Sequence, residues 1–364
     1  MSERGPGPVI LFGSGEISAS AQAVYDALLR RIGRPYRVAV LETPAGFELN
    51  SDRVAGRVAD YLRGHLLNYS PEVMVIPARR RGTSFSPDDP QIVAPLLRAR
   101  VIFLGPGSPT YAVRQLKDSL AWQMLLARHR LGAAVVLASA ATIAASAQAL
   151  PVYEIYKAGQ DLHWVGGLDL FAAFGLQLVL VPHWNNSDGG DELDTSRCFM
   201  GQARFIELLA LLPPGLTVLG IDEYTALMLD LQDGACRVMA GSGVTLLCPE
   251  GHKRYTRGQS FPLTELGPFR QPEPCEGIAP AVWEQALASA RRDEERQAEG
   301  EPVSASPDPP AEVLALVEDR ESARARRDWP SADALRERIL ALGWQVSDAP
   351  AGPRLQPMSG EGES

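Results

Sequence analysis

Short apolar runs alternate with longer segments of helical spacing over the first part of the chain. The apolar runs predict strands buried on both faces, at residues 8–12, 37–41, 73–76, 101–104 and 135–138. Helical spacing predicts helices between them, at residues 17–32, 50–66, 91–97 and 110–128. This alternation of strand and helix predicts an α/β fold, a mostly parallel sheet with helices on both faces.

The pattern continues with strands at 176–181 and 217–221 and a helix at 194–212 between them. A hairpin is predicted at 227–231 and 236–240, around Asp233-Gly234, and a short strand at 244–247. Ligands of such folds bind at the carboxyl ends of parallel strands. The stretches that end strands there, residues 13–16, 105–109 and Ser139, therefore converge on one edge.

Candidate chemistry lies at these strand ends. Ser139 ends an apolar run and is followed at once by an Ala-rich helical segment, which suits either a nucleophile on a sharp turn or a simple helix cap. His183 follows the strand at 176–181, and Glu223 follows the strand at 217–221. A histidine there suits either a catalytic base or a ring bonded to a backbone carbonyl. A dinucleotide site at residues 13–18 is not favoured, because Ser18 replaces the third glycine of that motif.

With Ser139, His183 and Glu223 in this order, residues 8–248 resemble the class I glutamine-amidotransferase-like fold. Within it they look most like the serine-peptidase branch that contains cyanophycinase and dipeptidase E. The matching pieces are FGSGE at 12–16, LGPGSP at 104–109, ASAA at 138–141, PH at 182–183 and GIDEYTAL at 220–227. The branch usually has glycine two residues before and two after the serine, where this chain has Leu137 and Ala141.

The resemblance implies hydrolysis of an amide or peptide bond without a metal or another cofactor. Ser139 would be the nucleophile, His183 the base and Glu223 the acidic member, with Asp222 as the alternative acid. The backbone N–H groups of Gly107 and Ala140 would form the oxyanion hole.

The walls of a substrate pocket are predicted from polar side chains in the loops above the sheet. They are Glu154, Lys157, Asn185 and Asn186, which bind a small peptide or amide substrate in this interpretation. Glu154 and Lys157 could instead pair with each other at helical spacing. The alternative function is a catalytically silent small-molecule-binding protein of the same fold.

Composition narrows the class of protein. The chain has 364 residues, of which 45% are hydrophobic, and a net charge of −9, which disfavours a broad phosphate-binding surface. Its four cysteines show no CxxC spacing, so a reduced, cytoplasmic setting is expected. The first eight residues have no signal-peptide core, and no stretch predicts a membrane span. The oligomeric state is not predicted.

A second module follows a linker rich in proline, serine and acids. We predict an α/β domain at 1–265, a charged helix and flexible linker at 266–310, a helical hairpin at 311–356 and a disordered tail at 357–364. Residues 311–356 resemble the C-terminal segment of cysteinyl-tRNA synthetases. The matching residues are Arg320, Ala323, Arg324, Asp328, Trp329, Ala332 to Arg336, Leu340, Gly343, Asp348 and Gly352.

In the synthetases this segment lies near tRNA, so tRNA is a candidate partner of the second module. Six arginines could meet phosphates, at positions 320, 324, 326, 327, 336 and 338. Acidic residues are interleaved with them, and RNA sites usually carry unbalanced basic charge. A docking module with salt-bridged faces is therefore favoured over RNA binding.

Overall fold

The computed structural model describes residues 5–248, 251–298, 310–326, 328–349 and 352–357. The strands are β1 Val9–Phe12, β2 Arg37–Leu41, β3 Glu72–Ile76, β4 Val101–Leu104, β5 Ala134–Ala138, β6 Gln148–Ala149, β7 Val165–Gly166, β8 Leu178–Val181, β9 Thr217–Ile221, β10 Ala226–Asp230, β11 Ala235–Ala240, β12 Gly243–Cys248, β13 Gly251–Thr256, β14 Ser260–Pro262, β15 Trp344–Ala349 and β16 Gly352–Pro357. The helices are α1 Ala21–Ile32, α2 Ser51–His65, α3 Pro90–Val93, α4 Pro109–Leu116, α5 Leu120–Arg130, α6 Ala140–Ala144, α7 Val152–Tyr156, α8 Gly201–Ala210, α9 Pro280–Ala298, α10 Ala311–Ala325 and α11 Trp329–Ala341.

The main sheet, counted over the described residues, has eight strands in the order β14-β11-β10-β1-β5-β4-β2-β3. The run from β1 to β3 is parallel throughout, and β10, β11 and β14 extend it in antiparallel fashion. Alternate residues of each central strand enter different cores. In β1, Val9 and Leu11 pack in one apolar cluster, and Ile10 and Phe12 pack in another. The predicted α/β fold with helices on both faces is confirmed.

A second sheet carries two of the predicted functional side chains. Its order is β13-β12-β9-β8, with β8 and β9 parallel. His183 follows β8 and Glu223 follows β9, whereas Ser139 follows β5 of the main sheet. The sequence predicted β8, β9 and β12 but not β13. It also did not predict the division of the strands between two sheets, because strand periodicity does not show which strands pair.

Three predicted helices differ in extent. The helix predicted at 110–128 is two helices, α4 and α5, separated by Asp118 at φ 60° and a Ser119 cap that accepts from the Trp122 N–H. The Ala-rich helical segment predicted directly after Ser139 ends at Ala144, and β6 follows at Gln148. The helix predicted at 194–212 begins only at Gly201. Tertiary hydrogen bonds replace helical ones at these ends, and local propensity does not report them.

The predicted C-terminal helical pair is confirmed as α10 and α11. A β-hairpin of β15 and β16 follows it, and a small apolar core joins Val313, Ile339, Trp344 and neighbours. The predicted domain boundaries stay a prediction, although α9 buries Val282 in the main apolar cluster. Most of the predicted linker and tail, residues 299–309 and 358–364, lies outside the described residues. No helix in the described ranges combines the length and apolar character that crossing a bilayer requires.

Gly13 joins the two sheets at the end of β1. Its N–H donates to the Thr225 carbonyl at 2.9 Å, and its carbonyl accepts from the His183 N–H at 3.2 Å. A Cβ atom on Gly13 would lie 2.0 Å from the Asp222 carbonyl oxygen. The backbones that lead to His183 and Glu223 therefore approach β1 at a distance that only glycine permits.

We predict that Gly13→Ala lowers the free energy of unfolding by about 3 kcal/mol, because backbone atoms must move to admit the methyl group. The matched control is Gly56→Ala in α2, where a Cβ meets no atom within 4 Å. This control should gain about 1 kcal/mol from helix propensity. Urea denaturation of both variants measures the difference, and equal stability of Gly13→Ala and the parent would contradict the close approach.

Candidate active site

Ser139 lies on a strained turn between β5 and α6. Its backbone angles are φ 52° and ψ −112°, which an L-residue rarely adopts. The residue occupies the N-cap position of α6, but its side chain makes no cap hydrogen bond. Its Oγ lies instead 3.0 Å from Nε2 of His183. The geometry therefore favours the exposed-hydroxyl interpretation of this turn over the helix-cap interpretation.

The imidazole of His183 bridges Ser139 and Glu223. Its Nδ1 lies 3.0 Å from Oε1 of Glu223, and the side chains of His183 and Glu223 are 18% and 23% exposed. A carboxylate only accepts, so Nδ1 carries the proton toward Glu223. In the neutral ring Nε2 is then a free acceptor, and the Ser139 hydroxyl can donate to it. Hydroxyl, imidazole and carboxylate form one hydrogen-bonded row.

Asp222 does not face the imidazole, although it precedes Glu223 in the chain. It is 1% exposed, and its Oδ2 accepts from Ser242 Oγ at 2.6 Å. The guanidinium of Arg254, on β13, lies 2.5 Å from the same oxygen. The Asp222 carboxylate is thus bonded to side chains on and next to the β12–β13 hairpin. Of the two acids, within the described residues, only Glu223 contacts His183.

Asn185 and Asn186, predicted in the pocket wall, bond Glu223 instead. The side-chain N–H of Asn186 donates to Glu223 Oε1 at 2.9 Å, and the Glu223 backbone N–H donates to Asn185 Oδ1 at 2.7 Å. Asn186 is 3% exposed, so its amide is fixed. Asn186 thus holds the carboxylate of Glu223 and Asn185 holds its backbone. The sequence pattern did not distinguish residues that hold Glu223 from residues that line a pocket.

A turn of three residues with left-handed backbone angles packs against His183 and bonds its backbone carbonyl. Three consecutive residues without glycine, Arg197, Cys198 and Phe199, have φ between 58° and 68°. Their backbone returns to β8: the Cys198 N–H donates to the His183 carbonyl, and the Arg197 N–H to the Trp184 carbonyl. The Phe199 ring centroid lies 5.9 Å from that of His183. Burial raises the pKa of the Cys198 thiol to about 12, so this cysteine packs as an apolar group.

The predicted oxyanion donors lie after β5, next to Ser139, and after the neighbouring strand β4. Ala140 is the first residue of α6, and Gly107 follows β4 with φ 147°. A Cβ on Gly107 would lie 1.9 Å from the Pro44 carbonyl oxygen, so this turn also requires glycine. Leu137 and Ala141, which replace the usual glycines, are buried in the apolar core and do not prevent the turn.

Glu154 and Lys157, also predicted in the pocket wall, line a cleft of about 810 Å³. The cleft includes Ser108, the neighbour of Gly107, and the basic side chains of Arg80 and Arg114. Glu154 Oε1 accepts from the Thr110 hydroxyl. Among the described residues, Glu154 and Lys157 form no ion pair with each other, and the Lys157 ammonium lies over the Tyr153 ring instead.

Glu16 is a site residue to which the sequence analysis gave no role. It belongs to the Gly-rich turn after β1 and is 8% exposed. Burial raises the pKa of its carboxyl, which a backbone hydrogen bond and the charge of His183 oppose. The available signal in the sequence was an acidic residue, Glu16, at the end of the Gly-rich motif that follows β1. Among the described residues, no group of three or more His, Cys, Asp or Glu side chains is placed to hold a metal ion.

The C-terminal segment is similar to part of a known enzyme family. Residues 306–352 match the model of the cysteinyl-tRNA ligase anticodon binding domain. A cysteine–tRNA ligase of Rubrobacter xylanophilus is 56% identical over 46 residues, which are 13% of this chain and 10% of that one. The ligase of Methanosarcina mazei is 49% identical over 47 residues, again 13% and 10%. The chain thus spans about a tenth of the length of these curated relatives.

The α/β part is similar in fold to a solved peptidase. The crystal structure of a peptidase from an acI-B1 Actinobacterium superposes with a TM-score of 0.58 and 20% sequence identity. The match covers 71% of this chain and 98% of that one. The resemblance in fold that the strand-end motifs predicted is therefore confirmed.

We predict that Glu16→Gln stabilises the protein at neutral and alkaline pH. Since the native pKa of Glu16 lies above its unfolded value, its contribution is favourable below the usual carboxyl range and is lost as pH rises through the native pKa. The amide cannot ionise, so the melting temperature of the variant should exceed that of the parent at about pH 8 and not at about pH 4. The exposed Glu192→Gln is the control. An equal effect of Glu16→Gln at both pH values would contradict a buried, ionising Glu16.

Proposed function

We propose that the chain is a serine hydrolase that cleaves an amide or peptide bond. The observation that carries the proposal is the row of two 3.0 Å hydrogen bonds from Ser139 through His183 to Glu223. A side-chain nucleophile in hydrogen-bond reach of a base, with the base held by a third group, is the arrangement that activates serine. The peptidase fold and the strained turn at Ser139 support it.

The proposed first half of the reaction makes an acyl-enzyme. Ser139 Oγ attacks the carbonyl carbon while His183 Nε2 takes the hydroxyl proton. The imidazolium is stabilised by Glu223, and the backbone N–H groups of Ala140 and Gly107 receive the negative charge on the carbonyl oxygen. His183 then protonates the leaving amine as the carbon–nitrogen bond breaks.

The second half repeats these steps with water as the nucleophile. His183 takes a proton from water, the hydroxide attacks the ester carbon, and the Ser139–acyl bond breaks with return of the proton to Ser139 Oγ. The asparagines at 185 and 186 hold Glu223 during both halves in this proposal. Fixed partners spare the carboxylate any reorganisation when the imidazole becomes charged.

The proposed substrate is a small peptide or amide bound in the cleft beside Gly107. The lining of this cleft carries both signs of charge, including the pair Glu154 and Lys157. Such a pair suits a substrate that carries an ammonium and a carboxylate group, as a short peptide does.

We predict that a fluorophosphonate probe labels Ser139 covalently. Ser139→Ala should abolish labelling, because the phosphonyl ester forms at that hydroxyl, and His183→Ala should slow it by about 10⁴-fold or more. The exposed Ser84→Ala is the matched control and should label like the parent. Intact-protein mass spectrometry with peptide mapping measures the adduct.

Labelling that survives Ser139→Ala would contradict the assignment of the nucleophile. Absence of labelling in a folded parent would contradict the hydrolase proposal and favour the silent binding protein of the same fold. Ligand-dependent thermal stabilisation that persists in Ser139→Ala would then be the expected property.

We infer a second candidate function, tRNA contact through the C-terminal module, because residues 306–352 match an anticodon binding domain. The structure narrows the arginines that can serve. Arg320 is 4% exposed and pairs with Glu321, so it cannot reach a phosphate. Arg324 lies over the Trp329 ring, and Arg327 lies outside the described residues. Arg326, Arg336 and Arg338 are exposed.

We predict that the full chain binds tRNA at low salt, which a gel-shift assay measures. The double variant Arg336→Glu/Arg338→Glu should weaken binding about tenfold or more and flatten the salt dependence, because it removes phosphate contacts. Arg57→Glu/Arg63→Glu on α2 is the control pair. No shift at low salt, or equal weakening by both double variants, would remove this function.

A further inference from the structure

A second large cavity lies at the opposite edge of the main sheet from Ser139. Its volume is about 790 Å³, and it is bounded by α9, the end of α5 and the segments that enter β1, β2 and β4. These are the amino ends of the parallel strands, whereas the candidate active site is at their carboxyl ends. The chemistry proposed above therefore does not use this cavity.

Four arginines line the cavity from three parts of the chain: Arg100 before β4, Arg128 and Arg130 at the end of α5, and Arg291 on α9. Two carboxylates also line it, those of Asp293 and Glu294. The Asp293 carboxylate already accepts from the guanidinium of Arg37 at 3.0 Å. Positive charge thus exceeds negative charge at the walls.

Two of these guanidinium groups are buried with nitrogens that lack partners. Arg128 is 3% exposed and Arg130 is 6% exposed. Arg128 donates from Nε and Nη2 to the Ala99 carbonyl, but its Nη1 has no acceptor within the described structure. Arg130 lies over the Phe174 ring, and neither its Nε nor its Nη1 has an acceptor there. Buried donors without partners are costly and rare in native proteins.

A purely structural role accounts for only part of this arrangement. Basic residues in the last turn of α5 offset the negative end of the helix dipole, which explains a charge at Arg128 and Arg130. It does not explain the convergence of Arg100 and Arg291, from other segments, on the same cavity. Burial lowers the pKa of Arg128 to about 10, against the opposing charge of Asp293 and with a smaller effect of Arg100 and Arg37, so Arg128 stays charged at neutral pH.

We propose that this cavity binds a small anion that carries two or more phosphate groups. Guanidinium groups match phosphate oxygens with paired N–H donors, and several of them fixed in place suit more than one phosphate. An anion here would offset the positive charge of the four arginines that line the cavity. Part of the remaining wall is apolar, with Trp283, Leu287 and Pro272 among its residues, and this part can cover a base attached to the phosphates.

The test is thermal stabilisation of the full chain by inorganic pyrophosphate, ATP and citrate, each titrated at constant ionic strength. Pyrophosphate should raise the melting temperature in a saturable manner, because it binds the native state only. Equal affinity for pyrophosphate and ATP would show that the cavity recognises the phosphates alone. Tighter binding of ATP would show that it also binds the base. Stabilisation by citrate but by neither phosphate compound would overturn the proposal, as would no stabilisation at all.

Two adjacent positions of α9 give a matched pair. Arg291→Glu reverses a charge on the cavity wall, and Arg292→Glu makes the same change on an exposed residue that does not line it. Arg291→Glu should weaken pyrophosphate about tenfold, and Arg292→Glu should leave it within about twofold. Arg114→Glu, in the cleft near Gly107, should also leave it unchanged. Equal effects of the two α9 variants, or a loss confined to Arg114→Glu, would overturn the proposal.

Discussion

The backbone junction at Gly13 is the constraint on which the candidate site depends. Ser139 ends a strand of one sheet, and His183 and Glu223 follow strands of another. The hydrogen bonds of Gly13 to the His183 and Thr225 backbones tie the second sheet to the end of β1, the direct neighbour of β5. The separation of hydroxyl and imidazole is therefore set by main-chain contacts rather than by flexible side chains.

Backbone strain is concentrated around the same point. Ser139, His183 and Tyr224 each have a positive φ, and the left-handed turn at Arg197–Phe199 adds three more such residues directly behind His183. Each of these conformations costs of order 1 kcal/mol or more and persists only when its surroundings impose it. Here the surroundings are two sheets and their buried cores. Together they hold the row of side chains in place, as the proposed hydrolysis requires.

The sequence predicted the fold and the three side chains of the row because both leave local signals. Buried strands are continuous apolar runs, and Ser139, His183 and Glu223 each end one. It did not predict what depends on contacts between distant segments. Nothing in the sequence around Asn186 shows whether its amide bonds Glu223 or lines a pocket. The positive φ of Cys198 and Phe199 occurs without glycine, so no residue signals that turn. In the sequence, Arg128 and Arg130 look only like the basic last turn of a helix. No local signal shows that α9 closes a cavity beside them.

The opposite orientation of Asp222 and Glu223 has a consequence for the direction of proton movement. Two free carboxylates at one rim would compete for the imidazole and let the ring turn between them. Because Arg254 and Ser242 occupy Asp222, His183 has a single anionic neighbour in the row, and its Nδ1 proton has one destination. In the proposed mechanism this leaves Nε2, the ring nitrogen that faces Ser139, for the proton transfer, so the β12–β13 ribbon contributes by holding Asp222 away from the imidazole.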